Sequence, residues 1–143
     1  MTGHAFQVFL EDDELRPALA AILSALSENG RFVFEARNPL IREWETWTPD
    51  NAMEIISDGE PIRMSHLGES EVRGDLVSIT LVYTIPAWEQ SQTSRRTLRF
   101  LDPSELSSFL CVAGLIIDEQ YGDWDRQPLT KTSPEIITVA RRS

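Results

Sequence analysis

One cysteine is present, Cys111, so no disulfide can form within the chain. Without covalent staples a packed core must hold the fold, and a chain of this size buries about two thirds of its unfolded surface. A reducing, cytoplasmic setting fits such cysteine usage. No apolar run approaches the roughly 20 residues that span a bilayer, and the N-terminus carries no basic-then-apolar leader. Cations are scarce: 13 Lys and Arg stand against 23 Asp and Glu, a formal net charge of −10. Affinity for phosphate backbones comes from clustered cations that release counterions, and Arg95–Arg96 or Arg141–Arg142 are too short for that. Nucleic acid and anionic membrane are therefore poor partners, and a small molecule or another protein is the better expectation. Glycines are sparse too. No two of the seven are two residues apart, so a G-x-G nucleotide turn is absent. His4, His66 and Cys111 lack the clustered spacing of a metal site, so no metal is expected.

What is present reads as α/β. Leu15, Leu19, Ile22, Leu23 and Leu26 repeat at helical spacing behind Asp12 and Asp13, either of which can cap. Pro17 is read into the first turn, and Gly30 as a left-handed stop. Phe32, Val33 and Phe34 then make a short apolar strand, and three consecutive large apolar residues suggest burial on both faces, as in a parallel sheet. A helix feeding such a strand is half of a βαβ unit, with Phe6, Val8 and Leu10 left for the strand before it or its loop. Asn38 can cap a helix opened by Pro39, with Leu40, Trp44 and Trp47 on one face.

From residue 52 the period changes to two. Met53–Ser57 and Pro61–Leu67 flank Asp58–Gly59, a strong hairpin signal. Val77, Ile79, Leu81, Tyr83 and Ile85 alternate with polar residues, and Arg96, Leu98 and Phe100 make a further strand. About four antiparallel strands are expected over 52–100, with 86–94 as a surface loop. Asp102, Pro103 and Glu105 then open a helix with a capping box, Leu106, Phe109, Leu110 and Ala113 form its buried stripe, and Gly114 ends it. Cys111 beside that stripe reads as a small buried residue. Strands over 115–120 and 136–140 close the chain, which is read as one domain, 1–143.

Taken in order, several segments resemble the C-terminal half of a class I S-adenosylmethionine-dependent methyltransferase. They are Gly30–Pro39 with Arg42–Trp47, Thr97–Phe100, Asp102–Leu110, Ala113–Leu115, Tyr121–Arg126 and Pro134–Arg142, while Met1–Gln7 resembles the loop after that family's fourth strand. The resemblance implies a partial Rossmann-like sheet carrying an antiparallel insertion, and S-adenosylmethionine as the family cofactor. It also implies that the glycine-rich half holding the cofactor is missing, so the chain is not expected to bind that cofactor alone.

In open α/β sheets ligands sit beyond the carboxyl ends of the strands, where the loops 2–7, 37–47 and 121–126 should meet. By the resemblance these form the wall facing a small-molecule methyl acceptor. His4 is the candidate base, since imidazole titrates near neutrality; otherwise it is a frayed terminal residue. Phe6 and Gln7 are candidates for the cofactor's sulfonium or adenine, Phe6 being otherwise core. Trp44, Trp47 and Trp124 are candidate pocket walls or plain packing. Arg37 and Arg42 are candidates for gripping an acidic substrate, or else surface partners of Glu35, Glu43 or Glu45. Tyr121, Asp123 and Asp125 complete the acceptor side, although Gly122–Asp123 also reads as ordinary turn chemistry. A non-catalytic fragment that dimerises through its exposed sheet edge, or binds another partner, is the alternative. An unrelated α+β pocket protein is a third reading.

Overall fold

Three acidic residues, Asp12, Asp13 and Glu14, open the first helix of the computed structural model, which describes residues 1–143. Carboxylates suit the positive end of the helix dipole. The elements run α1 (Asp12–Ala25), β1 (Phe32–Arg37), β2 (Met53–Ser57), β3 (Glu60–His66), β4 (Glu71–Arg73), β5 (Leu76–Thr84), β6 (Gln92–Arg99), α2 (Pro103–Val112), β7 (Leu115–Tyr121) and β8 (Glu135–Arg142). Single turns of 3-10 helix lie at Ala5–Val8, Pro39–Ile41 and Glu43–Thr46. Two compact units result, Met1–Arg42 with Leu98–Ser143, and Glu43–Thr97. The second begins ahead of the expected residue 52.

In the first unit β8 lies between β1 and β7 and is antiparallel to both. Among these residues β1 pairs only β8, and Phe6 and Val8 lie in the 3-10 turn ahead of α1, the loop reading of that segment rather than the strand. While Val33 lies on the other face beside Glu35, Phe32 and Phe34 share a face with Ile136 and Ala140 through the pairs Phe32↔Ala140 and Ala36↔Ile136. That face packs on Leu15 and Leu19 of α1, Leu106 and Leu110 of α2, and Phe6. The opposite face of the same two strands carries Glu35, Arg37, Glu135 and Ile137. In β7 the register shifts between Ile117 and Glu119, a bulge at Asp118. Its carboxylate takes Nε of Arg31 at 2.9 Å and Nε of Arg141 at 3.2 Å.

The ends of α1 differ from expectation. Glu11 is the cap, because Glu14 reaches back to accept from the amides of Glu11 and Leu10, at 3.2 and 3.0 Å. Pro17 consequently falls beyond the first turn. The helix stops at Ala25, and Gly30 is not left-handed. Position 30 is tight for a side chain: a Cβ there would lie 3.1 Å from atoms of Leu26 and Ser27. The last carbonyls are met by the other end of the chain, where Arg142 donates to Leu26 O at 3.1 Å and Leu23 O at 2.6 Å. In α2 the capping box forms as expected: Asp102 accepts from the Glu105 amide at 2.8 Å, and Glu105 from the Asp102 amide at 2.9 Å. Gly114 is left-handed. Cys111 is exposed rather than buried. One residue past Leu110 turns a helix by about 100°, away from the stripe.

Asn38 does cap Pro39–Ile41, but Arg42 at φ 51 breaks the run before Glu43, so Leu40, Trp44 and Trp47 do not share one helix face. In the second unit β5 is central, pairing β3, β4 and β6. Asp58 and Gly59 both take positive φ, the mirror-image turn that matches strand twist. Val77, Ile79 and Leu81, alternating along β5, are buried. There are five strands: β4 is additional, and β6 starts at Gln92, inside the expected loop.

Candidate functional site

The carboxyl end of β1 carries a buried charge. Glu35 is 6% exposed in the middle of Phe-Val-Phe-Glu-Ala, and a carboxylate there must be matched by donors. It is. His4 donates its backbone N–H to Glu35 Oε1 at 3.0 Å, and the Trp124 indole N–H donates to Oε2. On the neighbouring strand Glu135 sets Oε1 2.9 Å from His4 Nε2. The pairs Glu35↔Ile137 and Arg37↔Glu135 put both carboxylates on one face.

His4 is thus an anchored residue at the sheet end, not a frayed one, and it sits in the left-handed region at φ 56 behind Gly3 at φ 68. A non-glycine residue there is uncommon, and such strain gathers at functional sites. Gln7, 1% exposed, accepts at Oε1 from the Arg37 amide (3.3 Å) and guanidinium (3.1 Å), and donates to Arg99 O at 3.1 Å. Phe6 stacks on Phe34 with centroids 4.2 Å apart. Asp123 closes a turn through its carbonyl, which accepts from Arg126 N at 3.1 Å, while its carboxylate accepts from the Trp124 amide at 2.7 Å; Asp125 accepts from Gln127 N at 3.0 Å. Tyr121 turns elsewhere: its hydroxyl donates to Glu119 and its ring receives the Arg126 guanidinium.

Of the residues singled out from the sequence, His4 and Trp124 therefore meet at Glu35 and Glu135, with Arg37 opposite Glu135 and Gln7 bonded to Arg37. Arg42 occupies the break between two 3-10 turns. Trp44 and Trp47 belong to the second unit, where Trp47 stacks on His66 with ring centroids 6.1 Å apart. Sequence reasoning treated Glu35 only as a surface partner for an arginine and passed over Glu135. An acid inside an apolar strand was the available signal for the first. None existed for the second.

The two carboxyls titrate in opposite directions. Burial raises Glu35, but the His4 amide and the Trp124 indole outweigh it and hold the group below the ordinary range. Glu135 is pushed up by burial, against the opposing pull of His4 and Arg37. A lowered acid binds fewer protons folded than unfolded, so its contribution is present above the ordinary range and is lost as pH falls through the lowered value. A raised acid is the converse, contributing at low pH and losing that contribution as pH rises through the raised value. Glu35→Gln should therefore flatten the acid limb of the stability curve below roughly pH 4, and Glu135→Gln should flatten the decline above it. Urea midpoints from acid to neutral pH test this. Curves parallel to wild type would refute it.

No family model and no curated protein sequence matches the chain. Among solved structures the likeness is to S-adenosylmethionine-dependent methyltransferases, and the chain has a partial methyltransferase fold. A methyltransferase from Clostridium acetobutylicum superposes with TM-score 0.78 over 99% of this chain at 15% identity. CcbJ from Streptomyces caelestis gives 0.73 over 99% at 18% identity. CalS10, an amino pentose methyltransferase from Micromonospora echinaspora, gives 0.68 over 99% at 16%. The chain spans only 56, 58 and 57% of those three chains. At such identities the likeness is one of fold. The residues of this chain do not by themselves fit the methyl donor. No G-x-G turn exists, Phe6 packs in the core, and the Gln7 amide is already engaged.

Proposed function

We propose that these 143 residues form the acceptor-side wall of an S-adenosylmethionine-dependent methyltransferase, with the donor-binding half supplied by polypeptide outside them. One observation carries the reading: nearly the whole chain superposes on just over half of each methyltransferase, while the glycine turn that receives the donor is not among its residues. Methyl transfer from a sulfonium depends on alignment and on excluding water, with a base needed where the acceptor carries a proton. On this reading His4 is that base, Trp124 walls the acceptor site, and the acceptor is a small molecule, as it is for CalS10.

Calorimetric titration tests it. The chain alone should give no heat with S-adenosylmethionine. A polypeptide extended through the adjoining upstream coding sequence should contain an acidic residue and a G-x-G turn, bind the donor and transfer its methyl group. Micromolar binding by the chain alone, or an extended product that does not bind, would sink the proposal.

A second reading, a non-catalytic module that pairs with itself, is favoured by the position of β1 and β7 at the two edges of their sheet. Unsatisfied strand edges invite pairing. Residues 1–7 already meet part of the β1 edge, since Met1 N donates to Val33 O at 2.6 Å and Gln7 accepts from Arg37 N. Light scattering that finds a dimer broken by a proline within β7 would favour this reading; a strict monomer would remove it.

A further inference from the structure

Resting on the acceptor-side reading, we propose that Glu135 and Glu35 are positioning residues that hold His4 as a proton acceptor working through Nδ1. The ligand this assigns to the wall is one that gives up a proton, a hydroxyl or ammonium compound. Glu135 Oε1 lies 2.9 Å from Nε2 of His4. An ionised carboxylate only accepts, and imidazole is ordinarily the stronger base of the two, so the shared proton resides on Nε2 and the lone pair on Nδ1. Glu35 acts on the backbone of the same residue: its carboxylate takes the His4 amide at 3.0 Å and is itself tied down by the Trp124 indole. One acid thus fixes where the histidine starts, the other which way its ring turns.

The remaining geometry agrees. The His4 side chain is 24% exposed, so the ring is not sealed in the core. Glu135 Oε2 is buried with no hydrogen-bond partner, so the hydrogen bond of this carboxylate is the one to His4, with the Arg37 guanidinium acting on it only through its charge. In the step itself the O–H or N–H bond of the ligand breaks and its electron pair stays on the heteroatom. The proton joins Nδ1, and the imidazolium formed is stabilised by the adjacent Glu135 carboxylate, as in a His–carboxylate pair. The proton later leaves to water.

The test needs neither donor nor turnover. Long-range 1H–15N correlation of the histidines in the full chain, above the titration of His4, reports which ring nitrogen carries hydrogen. Wild type should show His4 as a single Nε2–H tautomer with a bare Nδ1. Glu135→Gln, which can donate as well as accept, should raise the Nδ1–H population at least ~3-fold, with His66 unchanged as an internal check of folding. Should that variant not fold, Glu135→Asp keeps the charge but draws it back, and the expected shift is in the same direction and smaller. A wild-type Nδ1–H tautomer, or variants identical to wild type, would overturn the pair and leave the methyltransferase reading standing. An extended polypeptide that fails to bind the donor would remove that reading and leave the tautomer result intact.

Discussion

Phe34→Ala should destabilise the chain by about 3–5 kcal/mol, the range for truncating a large aromatic in a packed core. Phe34 is fully buried. Its ring stacks on Phe6 at 4.2 Å and on Phe32 at 4.9 Å, and the same cluster joins α1, α2 and β8. Alanine would leave a cavity between helices and sheet that rigid neighbours close only in part. Because Phe6 lies two residues from His4, the loss should also loosen the 3-10 turn Ala5–Val8 and broaden the His4 signals. Phe34→Leu keeps most of the volume and should cost well under half as much. Urea unfolding of both variants checks the ratio. A Phe34→Ala loss below about 1 kcal/mol would mean that the three-ring stack is not the centre of the core.

Gly122→Ala is expected to cost about 2–3 kcal/mol, at the upper end for overpacking. Gly122 opens the loop that brings Trp124 to Glu35. Its amide donates to Gln127 O at 2.8 Å, and its carbonyl accepts from Glu135 N at 3.1 Å. A Cβ on it would lie 2.7 Å from Ser133 Cβ, closer still to Ser133 Oγ, and 3.1 Å from Pro128 O. Ser133 cannot step aside, being buried and bonded through Oγ to the Thr130 amide at 2.9 Å. The loop must shift instead, and the indole with it. Loss of the Trp124 indole N–H resonance from its bonded position should accompany the loss of stability. Ser133→Gly removes the obstructing atoms, so the double variant should recover at least ~1 kcal/mol against simple addition. Additive costs would show that the clash lies elsewhere.

Local chemistry was legible from the sequence. The Asp102 capping box, the Gly114 stop, the Asp58–Gly59 hairpin and the alternation of β5 each depend on residues within a few positions of one another, and all four formed as read. The methyltransferase-like fold was legible as an ordered succession of segments, none specific alone. Where local signals competed, reading was less sure. Asn29–Gly30 looked like a helix stop, but a guanidinium from residue 142 does that work. Pro39–Trp47 looked like one helix and became two short turns at Arg42. Cys111 lay one step outside a stripe whose exact orientation only packing sets. The run Phe32–Phe34 marked a strand apolar on both faces, but its antiparallel partner β8 lies about a hundred residues on and left no local trace.

By itself the sequence determined the class of the fold, the positions of its turns and caps, the lack of a glycine cradle for a nucleotide-like donor, and the choice of His4 as the residue to watch. Only the tertiary structure decided what His4 is joined to. Glu135 is 131 positions away, and the two meet because β8 pairs β1 in one register and the Gly122 loop returns the chain to the same sheet end. Caps and hairpins are settled by hydrogen bonds between near neighbours. A carboxylate facing an imidazole from far along the chain is settled by the strand register and packing of the first unit.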